Sequence, residues 1–348
     1  NESFMNTVFM AIVIGIIFFL TGIIFSGNIA TLLGANKQVY HMTSIYLKVL
    51  LMFGPAFVLN NVMNAFVRND GNPKLSMIAM LVGSFGNIIL DYLLVIKFSM
   101  GMFGAVLATG FSPIMGLMVL SGHIVSENSN IKFKVAKIRA SFIKSIIMLG
   151  IPSFVTEMSS GIVIFVFNII ILGLQGNVGV AAYGVIANLA LVVISIYIGV
   201  AQGSQPLFSA AYGKNDKKMQ KQLFKYAITA VTLISIVIYA VILLFANPIT
   251  SIFNGEGNMK LQAMAVKGMY LYFTSILFIG MNIVMATYFA AREKVIPSYI
   301  ISFGRGFVVI IPMAFIMSFI WKMTGVWLAM TVTEGIIAAV GVALIKKA

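Results

Sequence analysis

Three carboxylates stand inside otherwise apolar stretches of this sequence: Asp91, Glu157 and Glu334. A carboxylate at the centre of a bilayer costs at least about 2.5–3.5 kcal/mol on insertion scales, so an acid kept there marks a pathway or a coupling group. Asp91 follows Asn87 by four residues, which sets both side chains on one helix face. Thr109, on the next apolar stretch, reaches the same depth, roughly 10–13 Å below the outer boundary at about 1.5 Å per residue. Asn64 is a fourth oxygen donor, although straight-helix arithmetic sets it nearer the cytoplasmic side, so it joins the set only through a bend or a long tilt. One carboxylate, two amides and a hydroxyl suit either a proton on Asp91 or a hard cation such as Na⁺. The plainer alternative is a helix-end aspartate capped by its neighbours.

A second polar set follows. Glu157 stands five residues after Pro152, with Ser160 and Gly161 a turn further on and Asn168 almost in line, a polar stripe on an apolar helix. It reads as an attractor for a cationic substrate, as a second coupling group, or as a protonated glutamate bonded to a neighbouring helix. Asn188 and Gln205 line the next apolar stretch, and Glu334 lies in the last one beside Thr331 and Thr333. Glu157, Asn168, Asn188, Gln205 and Glu334 form the candidate substrate-binding set. No catalytic residue is assigned.

Composition dictates what must carry these groups. Of 348 residues, 60% are hydrophobic and 9% charged, where soluble domains carry about 25% charged residues. The net charge of +14 sits in joints between apolar runs, not in a basic block with interleaved aromatics, so nucleic acid is not an expected partner. Without cysteine there is no disulfide, thiolate metal site or cysteine nucleophile, and two histidines, His41 and His123, are too few and too far apart for a metal cluster. No cofactor is expected beyond H⁺ or Na⁺ as coupling ion.

About 20 apolar residues cross a bilayer as a helix. Ten stretches qualify, near 8–30, 44–68, 75–97, 101–122, 145–174, 179–205, 222–247, 265–291, 297–320 and 323–346, so the fold class is all-α integral membrane. Breaker sequences mark the joints, among them Asp70-Gly71-Asn72-Pro73, Gln175-Gly176-Asn177 and Asn254-Gly255-Glu256-Gly257. Sixteen of the 23 Lys and Arg fall on joints of one parity, including Arg68, Lys132, Lys134, Lys137, Lys214 and Lys218, against six on the other, including Lys37; Arg305 lies within a span. By the positive-inside rule both termini face the cytoplasm.

The longest joint, 123–144, is a cytoplasmic linker between an N-terminal bundle of four helices, 1–122, and a C-terminal bundle of six, 145–348. An offset of 224 superposes Arg68 on Arg292, Pro73 on Pro297, Gly101 on Gly325, Ala105 on Ala329 and Thr109 on Thr333, each at an equivalent helix position. Two six-helix halves in parallel repeat are a transporter plan. The offset then implies two further spans ahead of residue 1, in a 6+6 parent seen here as 4+6. The offset partners of Asn64, Asn87 and Asp91 are Tyr288, Ile311 and Phe315, so the cation set belongs to the first half alone.

Arg68-Asn69-Asp70-Gly71-Asn72-Pro73-Lys74, Gly86-Asn87-Ile88-Ile89-Leu90-Asp91 and the run Gly101 to Thr109 resemble the multidrug and toxic compound extrusion (MATE) family. Gly150-Ile151-Pro152-Ser153-Phe154, Ala181-Ala182-Tyr183-Gly184 and Ala201-Gln202-Gly203-Ser204-Gln205-Pro206-Leu207 resemble its MepA-like bacterial branch, and the likeness runs over essentially the whole chain. The resemblance implies two pseudo-symmetric bundles that export cationic amphipathic drugs or dyes by alternating access, in antiport with H⁺ or Na⁺. It also implies a multi-pass protein of the cytoplasmic (inner) membrane; a monomer is the expectation, which nothing in the sequence itself establishes. It matches the family's cation ligands to Asn64, Asn87, Asp91 and Thr109, with a further aspartate expected upstream. Tyr92 departs from the family, which usually has proline after the aspartate, and Glu157 falls about one turn earlier than the second-half acid of other branches.

Two rivals are weaker. A flippase for lipid-linked oligosaccharides would need several cations in a lipid-open groove, and Arg305 is the only one well within a span. An integral membrane transferase would need an Asp-rich metal motif or a His/Asp pair near one face, and the sequence has neither.

Overall fold

The computed structural model describes residues 2–33, 39–126, 129–132 and 139–347. Lys37, Lys134, Lys137 and residues 127–128 and 133–138 of the expected linker lie outside the described residues.

The chain is all-helical among these residues and forms two compact units, residues 1–146 and 147–348. Seven helices are long and apolar enough to cross a membrane, or eight when a bent pair is taken as one span. Two of the long runs contain a sharp backbone break, at Gly176 and at Trp321–Lys322. Splitting them there gives ten helical spans, with the joints that breaker chemistry marks in the sequence.

The first unit contains α1 (Glu2–Leu32), α2 (Tyr40–Met52 and Gly54–Asn69), α3 (Pro73–Asp91, continuing as a wider π-helical turn, Tyr92–Lys97) and α4 (Gly101–Val125). The 44° bend in α2 has a local cause. Pro55 has no N–H for the preceding turn, so the ladder breaks beside Gly54. Glycine also lets α1 approach this bend, since a Cβ on Gly15 would collide with Pro55 and one on Gly22 with Leu51. Helix α3 starts where Asn72 caps the Leu75 amide at 3.1 Å and Pro73 occupies the first turn.

The second unit contains α5 (140–175), α6 (177–213), α7 (Lys217–Phe253), α8 (Met259–Tyr272, a short 3₁₀ turn, then Ile276–Ala291), α9 (Val295–Phe303, a π-helical turn Gly304–Val308, then 310–320) and α10 (323–347). Helix α5 begins just before the boundary between the units. The core of the second unit is aromatic: Phe167 stacks on Tyr183 at 5.4 Å, and Tyr183 lies 6.1 Å from Trp327. Outside, large apolar side chains such as Ile24, Phe85, Leu244 and Phe319 are exposed. Such a coat is unstable in water and suits hydrocarbon, where helices satisfy their own backbone bonds.

Candidate functional site

In the first unit, Asn87 and Asp91 share a face of α3, and one glycine on each helix sets the approach of α3 and α4. Gly83 faces Ser112, whose hydroxyl donates to the Gly83 carbonyl at 2.9 Å, and Gly104 faces Leu94. These antiparallel contacts bring Thr109 level with Asn87 and the next turn toward Asp91. Asn87, Asp91 and Thr109 are all half-buried. Thr109 donates to the Ala105 carbonyl at 3.0 Å, leaving its lone pairs outward, while the Asn87 Nδ2 is buried without a hydrogen-bond partner. The Asp91 carboxylate has no hydrogen bond or ion pair among the described residues. The turn immediately after it, Tyr92–Lys97, is π-helical.

Asn64 does not join them. Its Oδ1 accepts from Ser76 Oγ at 2.9 Å, and its Nδ2 lies 3.5 Å from Asn60 Oδ1. Ser76 precedes Asp91 by fifteen residues on α3, about 22 Å along the axis at 1.5 Å per residue. The bend in α2 lies too far from Asn64 to lift it, and the side chain packed against Gly110 is Phe53. Asn64 thus lies in a separate Asn60–Asn64–Ser76 layer, away from Asn87, Asp91 and Thr109.

At the end of the same unit, Asp70 and His123 form a buried pair, Nε2 to Oδ2 at 2.9 Å. Asp70 also accepts from the Asn130 amide at 3.0 Å and from Ser129 Oγ at 3.3 Å, fastening the described start of the linker to the α2–α3 joint. Burial acts to raise the Asp70 pKa. Hydrogen bonds from His123, Asn130 and Ser129 outweigh it and hold the carboxyl below its ordinary range. His123, too far from His41 in the sequence for a metal cluster, instead pairs with the acid of the distant Asp70-Gly71-Asn72-Pro73 loop.

In the second unit one acid of the substrate set is buried. Glu334 on α10 takes Arg305 Nε at 3.0 Å and Nη2 at 2.8 Å on Oε1, while Asn282 of α8 donates to Oε2 at 2.6 Å and to the Glu334 carbonyl at 2.9 Å. Three of the carboxylate's roughly four acceptor sites are thus used by protein donors. The neighbours expected from sequence do not serve it: Thr331 pairs with Thr274 at 2.7 Å, and Thr333 Oγ1 is buried without a partner. Arg305 and Asn282 were absent from the sequence-based site. The signal was there, since a lone basic residue in one span and an acid in another imply each other. Arg305 sits in the π-helical turn of α9, next to Gly306, where any Cβ would strike Ser159 of α5.

Arg305 and Glu334 line a cavity with Tyr183, Tyr272, Ser159 and Ser160; its free space is about 50 Å³. A water needs about 10–15 Å³ of such space and drug-sized ligands need pockets of about 300–1,000 Å³, so this arrangement holds a few waters, not a drug. Glu157 and Asn188 are exposed, Asn168 and Gln205 half-buried, and none of the four lines this cavity. Asn188 donates to the Gly184 carbonyl at 2.8 Å. Among the described residues, no three His, Cys, Asp or Glu side chains group to hold a metal ion.

Ten apolar helical spans with polar groups buried in them define a multi-pass integral membrane protein. A family model described as MatE matches residues 1–93 and 152–316. The chain belongs to the MatE family, and it is a transporter rather than an enzyme. It is 28% identical over 334 residues to the multidrug export protein MepA of Staphylococcus aureus (strain bovine RF122 / ET3-1), covering 95% of this chain and 73% of that protein. The MepA of Staphylococcus saprophyticus is 27% identical with the same coverage. A solved structure of MATE in complex with MaL6 superposes with a TM-score of 0.92 at 22% identity, covering 100% of this chain and 80% of that one. The MepA-like resemblance drawn from the sequence holds, as does the all-α membrane fold.

Proposed function

We propose that this protein exports cationic amphipathic small molecules across the cytoplasmic membrane by alternating access, in exchange for H⁺ or Na⁺ bound at Asp91. The bundles 1–122 and 145–348, joined by the cytoplasmic linker 123–144, are the working parts, both termini face the cytoplasm, and the protein acts as a monomer. Membership of the MatE family and the likeness to the multidrug export protein MepA support multidrug export. The observation that carries the coupling assignment is the half-buried, unpaired Asp91 carboxylate beside the unsatisfied Asn87 amide. A proton or Na⁺ on Asp91 removes the cost of a bare carboxylate at that depth, and the cation draws α3 and α4 together through Asp91, Thr109 and the Asn87 carbonyl oxygen. Drug and ion then bind in alternate states.

One monovalent drug cation exchanged for one H⁺ moves no net charge, so only the pH gradient drives it, at about 1.4 kcal/mol per unit. Drawing on membrane voltage, at about 2.3 kcal/mol per charge per 100 mV, requires a second coupled ion, for which Glu157 is the exposed candidate. Glu157, Asn168, Asn188 and Gln205 are the proposed substrate contacts; Glu334, held by Arg305 and Asn282, contributes only after that pair opens. Ethidium efflux from pump-deficient bacteria tests this. Wild type should clear the dye and Asp91→Asn should not, and equal clearance by both would remove Asp91 from the coupling role.

A further inference from the structure

At the small cavity of the second unit, three buried side chains carry donor groups that make no hydrogen bond to protein among the described residues. Arg305, Tyr183 and Tyr272 are 9%, 1% and 3% exposed. Arg305 spends Nε and Nη2 on Glu334, which leaves Nη1 without an acceptor among the described residues. The phenol hydroxyls of Tyr183 and Tyr272 likewise have no hydrogen bond there, and both side chains line the cavity with Arg305 and Glu334. The hydroxyls of α5 add no donor in this arrangement. Thr156 donates to the Pro152 carbonyl at 2.8 Å, Ser160 to the Thr156 carbonyl at 3.4 Å, and Ser159 to the Val155 carbonyl.

A guanidinium edge and two phenol O–H groups on side chains that line one partly open cavity match the coordination of an anion, whose hydrogen bonds are charge-assisted. Free space of about 50 Å³ fits a monatomic ion and not a drug-sized molecule.

We propose that this cavity binds one small monovalent anion, a halide such as chloride, held by Arg305 Nη1 and the hydroxyls of Tyr183 and Tyr272. The anion competes with the Glu334 carboxylate for the same guanidinium, so the site is weak and exchangeable, and its occupancy loosens the α9–α10 ion pair. This inference is independent of the exporter reading and of the coupling role of Asp91.

The test is the unfolding temperature of the purified protein in detergent, titrated with sodium chloride or bromide against sodium gluconate at constant ionic strength. Chloride and bromide should give a saturable rise that gluconate does not. Tyr183→Phe and Tyr272→Phe should each raise the half-saturating concentration about tenfold, the worth of one hydrogen bond to a charged group. Glu334→Gln should lower it, because the competing negative charge is gone; a variant stripped of packing alone would not shift the midpoint in that direction. Should Glu334→Gln fail to fold, the two tyrosine variants still decide. Equal curves in chloride and gluconate overturn the proposal, as does a chloride midpoint unmoved in both tyrosine variants. An acetate response equal to that of chloride overturns the restriction to a monatomic ion and reassigns the cavity to the carboxylate of a larger molecule.

Discussion

Replacing Arg305 by methionine keeps an unbranched apolar stem and removes the guanidinium, leaving the Glu334 carboxylate, 1% exposed, with Asn282 as its remaining side-chain partner. Breaking a buried pair from one side costs about 3–5 kcal/mol, because the surviving charge stays uncompensated. Within residues 147–348, a unit for which each kcal/mol moves the midpoint by roughly 2–4 °C, Arg305→Met should lower the apparent unfolding temperature by roughly 6–20 °C. Neutralising both partners in Arg305→Met/Glu334→Gln should recover most of that loss, since replacing a whole buried pair is often neutral or better. Fluorescence-detected size exclusion after heating, run on wild type, both single variants and the double variant, closes the cycle. A loss below about 2 °C in Arg305→Met, or a double variant no better than the sum of the singles, would refute a paired buried charge here.

Three further outcomes follow from other parts of the chain. Gly176, at φ 64° and ψ −159°, holds a backbone conformation open essentially to glycine alone, so Gly176→Ala should destabilise by about 1–3 kcal/mol in thermal unfolding. Lys322 sits at φ 49° and ψ −130° at the α9–α10 joint, and Lys322→Gly should instead leave stability unchanged or raise it, as glycine relieves the strained backbone. Asp70 has a depressed pKa in the folded chain, so its contribution is present above the unfolded value of about 3.9 and is lost as pH falls through the lower folded value. Protection of the Asn130 amide, taken relative to its intrinsic exchange rate, should therefore hold at neutral pH and disappear only as pH falls below the ordinary carboxylate range through the lowered folded value of Asp70, and Asp70→Asn should weaken protection at neutral pH.

Ten spans were legible in the sequence because apolar runs of bilayer length are an unusually strong signal, and the joints at Gly176 and Trp321–Lys322 separate helices that otherwise run on. Asn87, Asp91 and Thr109 were legible too, since i, i+4 spacing and a short α3–α4 joint determine both face and depth. Straight-helix arithmetic set Asn64 nearer the cytoplasmic side, where its bond to Ser76 holds it, and only the family pattern, which records which residues recur and not their depth, joined it to the other three. Arg305 and Glu334 are 29 residues apart on different helices. Their pairing depends on how α9 and α10 turn toward each other, and the π-helical turn at Gly304–Val308 has no sequence periodicity to announce it.

The central claim is that an ion gradient, taken up through Asp91, drives the export of a cationic compound. In proteoliposomes loaded with dye-free buffer, an imposed H⁺ or Na⁺ gradient should drive ethidium accumulation against its own gradient by the wild-type protein, and Asp91→Asn should abolish accumulation while leaving the protein folded. Uphill accumulation that persists unchanged in Asp91→Asn, or wild-type movement that is only downhill whichever gradient is imposed, would contradict the account.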